Sequence, residues 1–145
     1  MSAEELKALK RHIVEEVNKG KADAMAVMDE TCATNIVFHS STGKDIYGLK
    51  DYKQFNSEVY DAFPDVHFTI DDMIVEGDKA VTRHTFTGTH KGKWRGASPT
   101  NKKVTLWAIM IVRIVGGKQV EIWERLDTLS LMQQLGVVPT PEKGK

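Results

Sequence analysis

At Pro64 the apolar residues of this chain change their period, and that change limits the fold more than any other feature of the sequence. Before it, Leu6, Leu9, Ile13, Val14 and Val17 recur at helical spacing, as do Leu49, Tyr52, Phe55, Val59 and Phe63. After it, Val66, Phe68 and Ile70 alternate as strand residues do. Helices that come first and antiparallel strands that come later predict an α+β domain and disfavour an alternating parallel-sheet fold.

The boundaries follow from local signals. Ser2 with Glu5 three residues on makes a capping box for the first helix, which Gly20 ends. Ala24, Val27 and Met28 define a shorter second helix, and Asn35 to His39 reads as a strand before the turn-forming "SSTGKD". "EGDK" (Glu76 to Lys79) closes a hairpin onto a threonine-rich strand from Ala80 to Thr89. A polar loop from His90 to Lys103 leads to the longest strand, Val104 to Ile114. "VGGK" then turns the chain into "QVEIWERLDTL", and a last helix runs from an Asp127 cap to Gly136. Residues 1–138 are expected to form one domain, with 139–145 a flexible tail.

Within the last strand, Val120, Ile122, Glu124 and Leu126 share one face. A carboxylate in that apolar row is expected to be desolvated, which raises its pKa towards the range useful for moving protons near neutrality. The same pattern also admits an ion pair with Arg83 or Arg125, or a bulge that turns Glu124 to solvent. On the preceding strand one face carries Val104, Leu106, Ala108, Met110, Val112 and Ile114, and the other carries Thr105, Trp107, Ile109, Ile111 and Arg113. The first can line a core or cavity; the second, with Trp123, leaves an apolar patch that a second copy of the chain would cover. A homodimer through the sheet, or a higher homo-oligomer, is expected.

Lys plus Arg and Asp plus Glu number 20 each, so no basic footprint points to nucleic acid, and a small hydrophobic ligand is the expected partner. No apolar run approaches the ~20 residues of a membrane span, and the polar amphipathic start is unlike a signal peptide; a cytoplasmic protein without membrane contact is expected. Cys32 stands alone, no histidine or cysteine cluster has metal spacing, and nucleotide-binding and hydrolase signatures are missing, so neither a metal nor a cofactor is expected.

Several short motifs together resemble one family: "FPD" after the third helix, "GTHKG", "PTNK", "RIVGGK", and "WERLD" leading to "QQLG". The chain is similar to SnoaL-like polyketide cyclases, also called ester cyclases, over nearly its whole length. That group shares the cone of nuclear transport factor 2, an α+β barrel whose curved, mainly antiparallel sheet wraps around N-terminal helices and encloses an apolar cavity. The resemblance implies intramolecular aldol closure of a polyketide ring by an acid/base Asp on the last strand, without metal or cofactor. Aligned on "GK" and "QLG", that Asp falls on Glu124. The family's pocket His falls on Met110, which offers no proton. His39 matches a polar pocket position and Arg83 a position often held by Arg.

The expected catalytic residues are therefore Glu124 and His39, with Met110, Ala108, Phe55 and Trp94 contacting the ligand together with Arg83 or His84, adjacent residues whose strand pattern leaves open which one faces the cavity. A cofactor-independent cyclase or isomerase acting on a hydrophobic carbonyl compound is the leading expectation. A non-catalytic binding protein with the same cavity, or a structural dimer whose cavity is filled, are the alternatives.

Overall fold

The computed structural model describes residues 1–140; most of the expected tail, residues 141–145, lies outside the described residues. Two helices, α1 (Ala3–Val17) and α2 (Lys21–Thr31), precede two early strands, β1 (Cys32–His39) and β2 (Asp45–Tyr47), and a third helix, α3 (Leu49–Ala62). Four longer strands follow, β3 (His67–Glu76), β4 (Lys79–Thr89), β5 (Lys103–Val115) and β6 (Lys118–Leu126), before the short α4 (Thr128–Gln134). β2 was not foreseen. It pairs with β1 across the "SSTGKD" turn, joining His39 to Asp45.

One six-stranded sheet has the order β2-β1-β6-β5-β4-β3, and it is antiparallel throughout except where β1 runs parallel to β6. It is curved and unclosed, giving the α+β cone expected from the change of period. α1 packs on β3 and β4, α2 on α1 and α3, and α3 on β1, so the concave face meets the apolar stripes of the helices. Ser2 accepts the Glu5 amide at 3.1 Å and so caps α1. Gly116 and Gly117, at φ 59° and 78°, make the tight β5–β6 turn, which favours positive φ at both central positions.

Alternation along the strands decides what faces inward. On β4 the buried residues are Ala80, Thr82, His84 and Phe86; on β5 they are Val104, Leu106, Ala108, Val112 and Ile114. β6 departs from strict alternation. Its register against β5 shifts so that Ile114 faces Gln119 while Arg113 faces Glu121, and Val120 is the extra residue. The bulge brings Gln119 to the inner side, where it is buried and donates to Thr31 Oγ1 at 3.2 Å. Beyond it Ile122, Glu124 and Leu126 point inward as the sequence pattern requires.

Phe63 closes the end of α3 and is 1% exposed, its ring meeting Phe86, His90 and Trp94. It joins α3 to the loop between β4 and β5 that carries Trp94.

Candidate active site

Cross-strand pairing lays the inward residues out in rows. Glu124 pairs with Met110 and Met110 with Thr82, giving a row across β6, β5 and β4. The next row is Leu126, Ala108, His84 and Ile70. Above these rows the helices leave a cavity of about 150 Å³. Its lining is mostly apolar, with Phe38, Phe55, Val59, Phe68 and Leu106 among its walls, and Ser41, Thr42, Trp94 and Arg95 from the loops at one end.

Six titratable side chains line this space; Tyr60 spends its hydroxyl on the Val17 carbonyl at 2.7 Å and Arg95 is exposed at the loop end, which leaves four facing the interior. Glu124 is surrounded by protein yet keeps part of its surface open to the cavity, and burial pushes its carboxyl up to about 7 while Lys10 draws it back down. Among the described residues its carboxyl oxygens have no hydrogen-bond or ion-pair partner; only the backbone carbonyl is engaged, by Ser41 and Arg125. His84 is 6% exposed, and burial followed by repulsion from Lys10 lowers it to about 4, so the ring is neutral at physiological pH. Tyr52 is held well above the usual phenol value by burial.

Lys10 is the fourth, and sequence reasoning missed it. It lies on the α1 stripe between Leu6 and Ile13 and is 4% exposed. Burial lowers its ammonium to about 8, against the opposing pull of Cys32 and Glu124. Its one hydrogen-bond partner among the described residues is the Met110 thioether, at 3.8 Å. Met110 is thus no empty substitute for a proton donor; it is the surface on which a cationic donor from the opposite wall rests.

Of the residues singled out from the sequence, Glu124, His84, Met110, Phe55 and Trp94 line the cavity together. Ala108 sits in the same inward row and is 1% exposed, but does not reach the cavity surface. Two expectations are corrected. His39 follows Phe38 on β1, so with Phe38 pointing inward the imidazole emerges on the convex side. There it is bonded to Glu121 and Asp45, both at 2.8 Å, and stacked on Trp123; the two carboxylates hold it above the usual imidazole value. Arg83 lies between inward Thr82 and His84 and likewise points out, 3.9 Å from Asp71. Glu124 forms no ion pair with Arg83 or Arg125 and is not turned to solvent by the bulge, which falls earlier, at Val120. Asp127 caps α4, accepting from the Ser130 amide at 3.1 Å.

The opposed shifts of Glu124 and His84 make a prediction about stability. Between pH 4.5 and 7 the unfolded chain loses the Glu124 proton while the folded chain keeps it, so this carboxyl makes stability fall as pH rises. Between pH 4 and 6.5 the unfolded chain gains a proton on His84 that the folded chain refuses, so this ring makes stability rise with pH. Each effect is about 3 kcal/mol. The advantage of Glu124→Gln over wild type should therefore grow by that amount from pH 4.5 to 7. The advantage of His84→Gln should shrink by a similar amount from pH 4 to 6.5. Urea denaturation at a series of pH values reads both; differences that stay flat would show that these groups are solvated.

Such a site defines a class: an α+β cone enclosing a small-molecule cavity with an unpartnered carboxyl at its floor. The sequence model of the SnoaL-like polyketide cyclases matches residues 8–135, and the chain belongs to that family. Comparison with curated protein sequences gives no match. Among solved structures the chain is similar to AclR of Streptomyces galilaeus, described as a candidate hydroxylase, with 27% identity and a TM-score of 0.86 over 98% of this chain and 87% of that one. It is similar to TsrD of Streptomyces laurentii at 25% identity and a TM-score of 0.83, over 95% and 99% of the two chains. A candidate polyketide cyclase of Bacillus cereus is 31% identical, with a TM-score of 0.66 over 79% and 70%.

Among the described residues no helix is long and apolar enough to cross a membrane, and no group of three His, Cys, Asp or Glu is placed to hold a metal ion.

Proposed function

We propose that the protein is an acid/base catalyst that moves a proton on a carbon next to a carbonyl group, in ring closure or double-bond migration of a hydrophobic small molecule. The observation that carries this reading is the Glu124 carboxyl, which opens into an apolar cavity with no side-chain partner among the described residues and is pushed up to about 7 by burial. A carboxylate there takes a proton from the carbon acid, and as the carboxylic acid it returns that proton to another atom of the same molecule. Neutral His84, on the neighbouring row, is available to donate to or accept from a ligand oxygen. Family membership supports the reaction class, and the cavity's apolar walls support a ring or chain held by shape.

The test is exchange of the α-hydrogens of 2-indanone for solvent deuterium, followed by NMR. The protein should accelerate it, with a rate that rises through about pH 7 as Glu124 ionises. Exchange no faster than in buffer, or a rate without that limb, would leave a binding protein.

The convex face is proposed as the contact of a homodimer. Trp107 and Ile109 are 52% and 41% exposed there, and Trp123 lies beside them. Arg83, Arg113, Asp71 and Glu121 put both signs of charge on the same face, so a two-fold copy can place opposite charges across the contact. Sedimentation at micromolar concentration should give twice the chain mass, and Trp107→Glu should give one. A wild-type protein at the mass of one chain discards the dimer.

A further inference from the structure

Lys10 is a buried cation with no ion pair among the described residues, Glu124 acting on it only from beyond contact distance. Its side chain descends from α1 onto the middle row of the sheet and ends against Met110, whose strand neighbour is Glu124. Among the described residues no carboxylate oxygen comes within the 4.0 Å of an ion pair. Evolved interiors rarely leave a buried ammonium so poorly satisfied, because the desolvation of a charge is offset only by a partner at hydrogen-bond distance. A thioether is a weak acceptor and does little of that work. The missing partner therefore belongs in the cavity, between Lys10 and Glu124.

We propose that Lys10 is the oxygen-anion subsite of the cavity, and that the ligand is an apolar acid whose anionic oxygen lies on the Lys10 ammonium while its proton passes to Glu124. The inference rests on the reading of Glu124 as a proton acceptor and adds the class of molecule. Two kinds of acid meet the requirement: an enolisable 1,3-dicarbonyl compound, whose C–H gives an enolate, and a carboxylic acid. In either case the balance is the same. The acid's C–H or O–H bond breaks, its electron pair stays on the ligand as the anion, and the proton ends on the Glu124 carboxylate; the anion holds Lys10 in its protonated form, so the floor of the cavity carries one cation and one anion.

Every neighbouring group is consistent with that charge count. His84 from β4 is neutral, Tyr52 from α3 keeps its proton, and the Cys32 thiol at the start of β1 is pushed up to about 11 by burial. Lys10 is thus the buried cationic side chain of the cavity, the other cation in its lining being Arg95, exposed at the loop end. The volume of about 150 Å³ is that of a benzene-binding cavity, so the buried part of the ligand is a single ring or its equivalent. A longer molecule would leave past Ser41, Thr42 and Trp94.

Calorimetric titration of the whole protein at pH 8 tests this with two acids and their neutral counterparts: 1,3-cyclohexanedione against cyclohexanone, and phenylacetate against phenylacetamide. At least one anion should bind tenfold or more tightly than its neutral partner. Repetition in two buffers of different ionisation enthalpy should show uptake of about one proton on Glu124 plus the fraction that Lys10, lowered to about 8, gains beside the anion, and none for the neutral compounds. Which anion is preferred tells the enolate from the carboxylate. Lys10→Met should abolish the preference while retaining binding of the neutral compounds, which also reports that the variant is folded. Glu124→Gln should keep the preference and lose the Glu124 share of the proton uptake, leaving only the smaller part that Lys10 gains. No preference, a preference that survives Lys10→Met, or no binding of any of the four overturns the subsite. Anion preference without accelerated 2-indanone exchange would instead retain the subsite and remove the catalytic reading of Glu124.

Discussion

Glu124→Gln should lower the rate of proton transfer by about 10²- to 10⁴-fold, the usual contribution of a positioned general base. The amide has nearly the same shape and volume, so the cavity and its walls stay as they are, but it cannot accept a proton from a carbon acid. Because the wild-type carboxylate has no protein hydrogen bond to lose, the substitution should not open a network elsewhere in the fold. Above pH 7, where the wild-type side chain is ionised inside the cavity, the variant should be the more stable of the two, for removing a poorly solvated charge relieves its burial. Loss of activity with unchanged or increased stability separates a functional carboxyl from a structural one, which would show the reverse. The two measurements are deuterium exchange into 2-indanone and urea denaturation at pH 8. A variant that keeps wild-type exchange, or that unfolds more easily than wild type at that pH, would end the case for Glu124 as the base.

The period of the apolar residues made much of this site legible. Glu124 stood out because it interrupts an apolar row, and the row proved to be the inner face of β6. Met110 fell on an inward face for the same reason, whereas the pattern left open which of the neighbours Arg83 and His84 faces the cavity, and His84 is the one that does. His39 and Arg83 were expected in the cavity from the resemblance, although each adjoins a residue of the opposite face: one step along a strand reverses a side chain, and Phe38, Thr82 and His84 had already taken the inward positions. Val120 was counted with the inward row, but it is the extra residue of a bulge that turns Gln119 inward instead, and an alternating pattern carries no mark of a bulge. Lys10 was concealed differently. A lysine on an apolar helix stripe ordinarily extends along the surface until its ammonium reaches water, and only the packing of α1 over the concave sheet denies it that route.

The family motifs gain a physical meaning from the same contacts. "FPD" and "GTHKG" are two halves of one joint: Asp65 accepts from the Thr89 amide and hydroxyl, both at 2.7 Å, and the Phe63 ring lies against His90. His90 in turn takes the Thr100 amide on Nδ1 at 3.2 Å, tying the "PTNK" segment back to the end of β4. Together these contacts seat the loop that carries Trp94 beside the cavity.

That joint should fail most completely at Gly92. A methyl group there would lie 2.0 Å from the Asp61 carbonyl oxygen and 2.8 Å from its carbon. These are backbone atoms of the last turn of α3 and cannot swing aside as a side chain would. The Lys91 and Gly92 amides both donate to the Ala62 carbonyl, at 2.9 and 3.1 Å, so relieving the clash pulls both bonds apart and lifts Trp94 from the cavity wall. Gly92→Ala should cost about 3–5 kcal/mol, the range reached when a substitution combines overpacking with lost buried hydrogen bonds. Gly77→Ala in the β3–β4 turn is the control: its φ is also unfavourable for alanine, at +60°, but nothing lies within 4 Å of the added carbon, so only about 1 kcal/mol is expected. Urea midpoints at constant m-value give both costs. Exchange into 2-indanone, measured where each variant is still folded, should fall for Gly92→Ala and hold for Gly77→Ala, because only the first moves the loop beside the cavity. If the two alanines cost the same, the close approach of this loop to α3 does not hold the wall in place.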